Sequence, residues 1–433
     1  MARAMKDSGI EWIGEIPEGW KVSKVSTFFD IQLGKMLQPS QENESDTYES
    51  YLCAANLGNN KLKMEPLKQM WFSREDKEKF SVRCGDLLVV EGGDVASSDI
   101  IAEPVHGLYI QNALHRVRSR NGFELRFLRY YLSIAKASGH IDLICNKATI
   151  AHFTKDKFGA LPYVVVPLEE QKRIADYLDS ECARIDAVIE QTRASIEEYK
   201  KLKQSIITQA VTKGIRPGRK MKASGIEWVG DIPEEWEVRR IKTLFRLRDE
   251  KNYLPLEEVN LISLYTDKGV VQHCDLEQTT GNKASNADGY KKVYENDIVV
   301  NIILCWMGAV GRSAFTGVTS PAYDIYVPSD EIECRYYHHY FRTKGFSGDC
   351  YKRGKGIMAM RWRTYSDQFR DIPVVMPSKK EQQEILAYLD AKTAEIEKLI
   401  AKKEKFLAEL EAYKKSLIFE YVTGKKCCSE RTC

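Results

Sequence analysis

Residues 170–213 read EQKRIADYLDSECARIDAVIEQTRASIEEYKKLKQSIITQAVTK and carry a long, regular apolar pattern. Apolar or small residues recur in it at alternating steps of four and three: Leu178, Cys182, Ile185, Ile189, Thr192, Ile196 and Tyr199. This spacing is typical of a coiled-coil seam, in which each apolar side chain needs a facing helix to bury it. The sequence therefore predicts a long helix over 170–213 that packs against a second helix.

We expect the facing helix in the same chain, because the pattern returns at 381–424 as EQQEILAYLDAKTAEIEKLIAKKEKFLAELEAYKKSLIFEYVTG. Its seam lies 211 positions after the first one, at Leu389, Thr393, Ile396, Ile400, Lys403, Leu407 and Leu410. We predict an antiparallel intramolecular coiled coil whose helices are each about 60 Å long, at a rise of roughly 1.5 Å per residue. The polar seam residues Thr192 and Lys403 match in position, and they either fix the register or admit a partner or water.

A second repeat precedes each long helix. Residues 5–20, MKDSGIEWIGEIPEGW, return at 221–236 as MKASGIEWVGDIPEEW, with 12 of 16 positions identical. Because the period exceeds 200 residues, it indicates duplication of a whole domain plus helix rather than a solenoid. We interpret this segment, here called the strap, as an extended piece whose tryptophans dock on a neighbouring helix. A simple loop leading into the domain is the alternative.

Between strap and helix, both copies mix short β-rich runs with helical patterns. In the first copy these are strands at 86–90 and 107–110 and a helix at 125–137. The second copy repeats this plan without sustained identity, with a strand at 297–300, a Gly-broken loop at 308–311 and a helix at 335–342. A repeated frame therefore presents two different domains, which we call the variable domains. The predicted boundaries are strap 1–20, first variable domain 21–163, helix and hinge 164–220, strap 221–236, second variable domain 237–373, and helix with tail 374–433.

Composition describes a soluble protein of two to three domains, with 43% hydrophobic and 29% charged residues in a chain of 433. The net charge of +3 permits a nucleic-acid partner without requiring one. We expect a cytoplasmic protein, because no apolar run is long enough for a membrane span and the N-terminus has no secretory signal pattern. The eleven cysteines form no CxxC pair, so we expect reduced thiols and neither a zinc site nor a redox pair.

Catalytic signatures are weak. Residues 320–323, SPAY, depart at Ala322 from the Pro-Pro-aromatic motif with which amino-methyltransferases hold a flipped base, and they also fit an ordinary strand start. The loop 308–313, GAVGRS, lacks the GK[ST] ending of a phosphate-binding loop. His338 and His339 fit a polar helix face better than a metal site. We predict no catalytic residues and no metal site.

Residues suited to DNA contact lie just before each long helix, where Lys, Arg and Thr are concentrated. Lys and Arg neutralise phosphates, and together with Thr they reach base edges. The basic residues that alternate along a predicted strand at 116–118 are further candidates. A solvated surface charge is the alternative for any single one of them. The predicted DNA-binding residues are Arg116, Arg118, Lys147, Thr149, His152, Lys155, Arg353, Lys355, Arg361 and Arg363.

The doubled arrangement of SGIEWIGEIPEGW, a variable domain, VPLEEQKRIADYLD and a long helix resembles the specificity subunit of type I restriction–modification enzymes over 5–424. Further matching segments are SVRCGDLLVVEGG at 81–93 and GAVGRSAFTGVTSPAYDIYVP at 308–328. The resemblance implies an α+β fold whose variable domains are target recognition domains. Each would read one half of an asymmetric, gapped double-stranded DNA site. One departure is the second helix start, PSKKE at 377–381, which is one residue longer than PLEE at 167–170.

The resemblance also implies that the chain itself is not catalytic and binds no cofactor. Two methyltransferase subunits would dock on the straps and helices, and restriction–translocase subunits would join through the complex. S-adenosylmethionine, ATP and Mg²⁺ would be used by those partners. The alternatives are a coiled-coil scaffold with protein-binding domains and a single-chain DNA methyltransferase.

Overall fold

The computed structural model describes residues 3–145, 151–273, 286–356 and 362–428. The chain divides into two compact units. The first unit comprises Met1–Arg193 together with Lys405–Cys433, and the second comprises Ala194–Glu404. Each unit thus holds one strap, one variable domain, and one half of each long helix.

The first copy of the repeat contains thirteen strands and six α-helices in its described part. The strands are β1 Met5–Asp7, β2 Glu15–Pro17, β3 Lys21–Lys24, β4 Phe29–Leu33, β5 Thr47–Leu52, β6 Leu57–Gly58, β7 Lys61–Leu62, β8 Lys68–Phe72, β9 Leu87–Val90, β10 Ser98–Ile100, β11 Leu108–Ile110, β12 Leu114–Ser119 and β13 Pro162–Val165. The helices are α1 Val25–Phe28, α2 Arg74–Phe80, α3 Leu125–Ala137, α4 His140–Cys145, α5 Lys155–Ala160 and the long α6 Leu168–Lys213.

The second copy contains twelve strands and five α-helices in its described part. The strands are β14 Met221–Ala223, β15 Asp231–Pro233, β16 Glu237–Arg240, β17 Phe245–Arg248, β18 Ile262–Tyr265, β19 Gly269–Gln272, β20 Lys291–Val293, β21 Ile298–Asn301, β22 Val310–Arg312, β23 Gly317–Thr319, β24 Tyr323–Pro328 and β25 Pro373–Met376. The helices are α7 Ile241–Leu244, α8 Cys334–Phe341, α9 Lys344–Arg353, α10 Ser366–Arg370 and the long α11 Lys379–Val422. The predicted α+β class with two long helices is confirmed.

The two long helices run antiparallel within each unit. In the first unit, Asp186 forms an ion pair with Lys414, and Arg193 forms one with Glu411. The residue number therefore rises along one helix as it falls along the other. In the second unit Lys203 pairs with Glu397. These exposed ion pairs contribute little stability each, and the apolar seam between them carries the association.

The predicted seam residues face inward in both units. Leu178, Ile185, Ile189, Ile196, Leu389 and Ile396 are buried, and Tyr199, Ile400, Leu407 and Leu410 are half-buried. The polar seam residues find local partners: the Thr192 hydroxyl donates to the carbonyl of Val188 at 2.7 Å, and the Lys403 ammonium lies 5.8 Å from the centre of the Tyr199 ring. The Thr192 hydroxyl is therefore satisfied on the seam, and the Lys403 ammonium lies within cation–π distance of an aromatic ring.

Each strap folds as a short β-hairpin rather than as the extended segment that we predicted. β1 pairs with β2, and β14 pairs with β15, both antiparallel. The first tryptophan of each strap packs on a helix of the variable domain: Trp12 lies 5.4 Å from Tyr131 of α3, and Trp228 lies 5.4 Å from Tyr340 of α8. The straps thus tie the variable domains to the frame.

The second tryptophan of each strap contacts a glutamate in the first turn of a long helix. Trp20 donates from Nε1 to Glu170 at 3.1 Å, and Glu170 also accepts from Arg3. The second copy repeats this arrangement with Trp236, Glu381 and Arg219. We call each set of three the Arg–Glu–Trp cluster.

The glutamine after each of these glutamates is fully buried and closes the helix start. Gln171 donates to the carbonyl of Val166 and accepts from the backbone amide of Glu124, just before α3. Gln382 makes the matching bonds to Pro377 and Glu333, just before α8. The second helix start is therefore not one residue longer, as we predicted: both glutamines bond the carbonyl five residues earlier, and Pro377 stands where the first copy has Val166. Each Glu-Gln pair therefore fixes strap, variable domain and long helix together.

The variable domains share one sheet topology although their residues differ. The first contains an antiparallel sheet in the order β10-β9-β12-β4, and the second contains one in the order β22-β21-β24-β17. The strand after each strap also pairs with the strand before each long helix, as β3 with β13 and β16 with β25. A three-stranded sheet, β11-β5-β8, completes the first domain. The repeated plan predicted from sequence is thus a repeated sheet.

His338 of α8 is half-buried and lies against the sheet of the second variable domain. Its Nδ1 accepts from the backbone amide of Arg312 at 3.1 Å, which requires that nitrogen to be unprotonated. Burial lowers the pKa of His338 to about 3, with a further contribution from His339, Arg342, Arg312 and Arg335. A histidine with a depressed folded pKa stays neutral in the folded protein, while the unfolded chain binds a proton below about pH 6.5.

We therefore predict that His338 destabilises the fold as the pH falls. Between pH 7 and pH 5 the unfolded state gains a proton that the folded state does not, at a cost of about 1–2 kcal/mol. The substitution His338→Asn keeps an acceptor for Arg312 and removes this titration. Urea unfolding at both pH values checks the difference. Equal pH dependence of the variant and the parent chain would contradict a His338 that stays neutral in the folded protein.

Candidate nucleic-acid interface

The best-formed candidate surface lies between α9 and α10 of the second variable domain. The Thr343 hydroxyl caps α9 by accepting from the amide of Phe346, and the helix ends at Gly354. After the turn, the buried Thr364 donates to the carbonyl of Cys350 at 3.0 Å. These bonds fix both ends of a short loop whose middle, 357–361, lies outside the described residues.

An aromatic pair closes this loop at its base. The Trp362 ring stacks on the Tyr351 ring at 5.0 Å, and its Nε1 donates to the Tyr351 carbonyl at 3.1 Å. A Cβ on Gly354 would lie 2.2 Å from Trp362 Nε1, so any larger residue there would displace the Trp362 ring. The close approach of the two chain segments therefore depends on one glycine and one tryptophan.

Two cations emerge side by side from the loop. Lys355 and Arg363 exchange both backbone hydrogen bonds, at 2.8 and 3.0 Å, and both side chains are exposed. Residues paired in this way project from the same face of the ribbon. Within the described part of the chain neither forms an ion pair, unlike the nearby Lys352, which pairs with Glu227 at 2.5 Å. Adjacent unpaired cations are suited to a polyanion.

The other two predicted residues of this segment are placed differently. Arg353 ends α9 close to Asp349, whose carboxylate it influences electrostatically. Arg361 lies outside the described residues. DNA contact by all four remains a prediction.

The matching segment of the first variable domain is built from a β-bridge and a short helix. His152 forms a β-bridge with Gly92, and its Nδ1 lies 2.9 Å from the carboxylate of Glu91. One ring nitrogen of this histidine therefore already has a partner inside the domain. Thr154 caps α5 by accepting from the amide of Lys157. The side chain of Lys155, in the first turn of the same helix, is exposed. The predicted residues Lys147 and Thr149 lie outside the described residues.

Arg116 and Arg118 are bonded inside the first variable domain. Arg116 is buried and donates to the carbonyls of Lys79 and Ser81, at 3.0 and 2.6 Å. Arg118 forms two bonds to the buried Asp86, at 2.7 and 2.8 Å, which raise its pKa. Their role in DNA contact stays a prediction. Both guanidinium groups have hydrogen-bond partners inside the domain, and Arg116 Nε is buried without one among the described residues.

The same Arg–Asp arrangement occurs in the second variable domain, where sequence reasoning missed it. Arg248 of β17 binds the buried Asp297 with two bonds of 3.0 and 3.1 Å. Asp86 and Asp297 each precede a buried strand, in GDLLVV and NDIVV. A buried aspartate before an aliphatic strand needs a cation or backbone donors, and this signal predicts such a pair.

Other kinds of site receive no support from the described residues. No group of three or more His, Cys, Asp or Glu side chains there could hold a metal ion. None of the helices in the same residues is long and apolar enough to span a bilayer. Among the described residues, the free thiols include Cys53, Cys84, Cys145, Cys182, Cys305, Cys334, Cys350 and Cys427. Residues 320–322 form the turn that leads into β24, as the ordinary strand start predicts.

Solved structures share this fold. A structure described as "Structural basis underlying complex assembly and conformational transition of the type I R-M system" superposes with a TM-score of 0.68 and 14% identity, over 95% of this chain and 99% of that chain. The HsdS subunit from Thermoanaerobacter tengcongensis superposes with a TM-score of 0.50 and 15% identity, over 95% and 98%. At such low identity these likenesses establish the fold alone.

Sequence comparisons identify the family. The type I restriction enzyme MjaVIII specificity subunit of Methanocaldococcus jannaschii is 24% identical over 238 residues, which is 55% of this chain and 52% of that protein. The match thus spans about half the length of this curated relative. The type I restriction modification DNA specificity domain matches twice, over residues 17–198 and 233–406. The chain therefore belongs to the family of type I restriction–modification DNA specificity proteins.

Proposed function

We propose that this chain is the sequence-specificity subunit of a type I restriction–modification complex. Its two variable domains would each recognise one half of an asymmetric, gapped double-stranded DNA site. Two methyltransferase subunits would dock on the straps and long helices. Methylation and cleavage, with S-adenosylmethionine, ATP and Mg²⁺, would belong to partner subunits, and the chain itself would be non-catalytic.

The observation that carries this proposal is that the same contacts between strap, variable domain and long helix occur in both copies, although the two variable domains differ in sequence. Both copies keep the Arg–Glu–Trp cluster, the buried glutamine and the order of the four-stranded sheet. The loop between α9 and α10 presents the cations Lys355 and Arg363. In the segment before α5, by contrast, His152 is paired with the carboxylate of Glu91. Unlike surfaces on a common frame suit a reader of two different half-sites.

Selection from a random duplex library tests the proposal directly. We expect the purified chain, with its methyltransferase subunits, to enrich two short unlike sequences separated by a fixed gap. Enrichment of a single continuous sequence, or of none, would reject the proposal. A fall of affinity with salt would show phosphate contact only, so the test is the enriched sequence.

We further predict that Lys355→Ala with Arg363→Ala weakens DNA binding on the order of tenfold or more. Loss of two phosphate contacts should reduce the log–log salt slope by about 2, at roughly 0.9 per contact. The measurement is the affinity for duplex DNA between 50 and 200 mM salt, conditions that resolve such slopes. Lys352→Ala is the matched control, because that lysine is paired with Glu227. An unchanged slope in the double variant would place the interface elsewhere.

A further inference from the structure

The register that relates the two straps continues into the variable domains. Lys35 and Pro39 recur as Lys251 and Pro255, at the offset of 216 residues that also relates the straps. In both copies this segment directly follows the edge strand of the four-stranded sheet, β4 or β17. We call residues 35–39 and 251–255 the apolar loops.

Both apolar loops expose adjacent large apolar side chains. Met36 and Leu37 are 74% and 58% exposed, and Tyr253 and Leu254 are 77% and 50% exposed. Leu37 and Tyr253 occupy the same position in the shared register. A single exposed apolar residue is ordinary, whereas neighbouring ones at matched places in two domains indicate an interaction surface.

The loops hold these side chains out on hydrogen-bonded backbone. In the first loop, the Lys35 amide donates to the carbonyl of Ile110 at 2.9 Å, the Gln38 carbonyl accepts from the amide of Trp71 at 3.1 Å, and the Gln38 side chain donates to the buried Asp46 at 3.3 Å. In the second, the buried Asn252 donates to the carbonyls of Leu254 and Ala287, at 2.9 and 3.0 Å. Different residues thus give the same ordered presentation, which reduces the entropy lost when a partner binds.

The charge beside both apolar loops is negative. Glu42 and Glu44 follow the first loop and are exposed, and Glu257 and Glu258 follow the second and are exposed. Each loop contains a single lysine: Lys35 is paired with Asp76, whereas Lys251 is exposed, so two exposed carboxylates still outnumber the one lysine beside the second loop. Because phosphates repel carboxylates, this surface is unsuited to the DNA backbone and suited to a protein with basic side chains.

We propose that the two apolar loops bind the same partner protein, one copy on each variable domain. The surface of the partner would offer an apolar pocket surrounded by basic side chains. A feature kept in two domains that otherwise differ serves a step that does not depend on the DNA sequence read. Resting on the proposed function, the partner is the methyltransferase subunit, the protein expected in two copies. The loops add a contact on each variable domain to the docking expected on straps and helices.

Removing the apolar side chains in pairs tests the proposal. The variants are Met36→Ser with Leu37→Ser, Tyr253→Ser with Leu254→Ser, and all four together. Sedimentation velocity of the full chain with purified methyltransferase subunit, without DNA, measures the two binding steps. Each pair should weaken one step on the order of tenfold, which corresponds to about 1.4 kcal/mol, and the fourfold variant should weaken both. Glu42→Lys with Glu44→Lys should also weaken one step.

The controls separate the possible outcomes. Leu143→Ser removes an apolar side chain that is 77% exposed outside the loops, and it should leave both binding steps unchanged. Unchanged thermal midpoints show that the loop variants fold. Unaltered partner binding in the fourfold variant overturns the proposal, as does a loss of DNA retention with partner binding intact. If the parent chain itself binds no methyltransferase subunit, the docking in the proposed function fails as well, and that result is visible before any variant is made.

Discussion

Replacing Glu381 by alanine should lower the free energy of unfolding by about 3–5 kcal/mol, the range observed when one partner of a buried ion pair is removed. Glu381 accepts from Trp236 Nε1 at 2.9 Å and from both terminal nitrogens of Arg219, and its hydrogen bond raises the pKa of that arginine. Alanine would leave the indole N–H without its acceptor, and the mostly buried Arg219 guanidinium would keep Glu235, at 3.1 Å, as its remaining ion-pair partner among the described residues. Urea unfolding followed by far-UV circular dichroism measures the loss.

The first copy supplies a matched comparison for this substitution. Glu170 holds Trp20 and Arg3 in the same way, but Arg3 is more exposed than Arg219. Water can therefore solvate Arg3 when its partner is removed, and Glu170→Ala should cost less than Glu381→Ala. Glu381→Gln keeps an acceptor for the indole and should fall between the parent chain and Glu381→Ala. A loss below about 0.5 kcal/mol for Glu381→Ala would show that the cluster contributes nothing to stability.

The sequence predicted the helical frame closely. The long helices begin at Leu168 and Lys379 and end at Lys213 and Val422, within two residues of the predicted bounds, and α3 matches the prediction at both ends. Apolar periodicity over more than forty residues leaves little freedom in where such helices run. The α+β class is confirmed by the helices and strands of the structure, and the family resemblance is confirmed by the two matches to the specificity domain.

The straps and the arginines of β12 were harder to predict. Two three-residue strands form a hairpin only because their tryptophans have α3, α8 and the long helices to dock on, and none of these contacts is local. Alternation placed Arg116 and Arg118 on one face of a strand, but it does not say what covers that face. β12 lies between β9 and β4, with the carbonyls of Lys79 and Ser81 above it.

The sequence predicted which basic residues belong to the candidate DNA surface, but it did not predict how those residues are arranged in space. Lys355 and Arg363 are eight positions apart, and only a backbone bridge closed over Gly354 and Trp362 brings them side by side. A glycine and a tryptophan that bracket a basic loop are a weak signal in sequence. The Glu-Gln pair is a stronger one, because it recurs at the start of both long helices and each member makes the same contacts twice.

The second large effect concerns the helix seam, where Ile189→Asp should cost about 4 kcal/mol of unfolding free energy. Ile189 is buried in the core of the first unit, among side chains of both long helices. An aspartate there must bury an unpaired charge, take up a proton, or force the helices apart, and each of these is costly. The measurement is urea unfolding at pH 7 and again at pH 5. At the lower pH the buried carboxyl, its pKa raised by burial, should take up a proton, so the difference in unfolding free energy from the parent chain should shrink.

The neighbouring residue gives the control for Ile189→Asp. Val188→Asp introduces the same charge into the same turn, but Val188 is 40% exposed, so its cost should stay below about 1 kcal/mol. Ile400→Asp, at the matching and half-buried position of α11, should fall between the two. This ordering depends on which side of the helix is covered, and helix propensity is the same in all three cases. Equal losses for Ile189→Asp and Val188→Asp would mean that the two long helices do not pair through this seam.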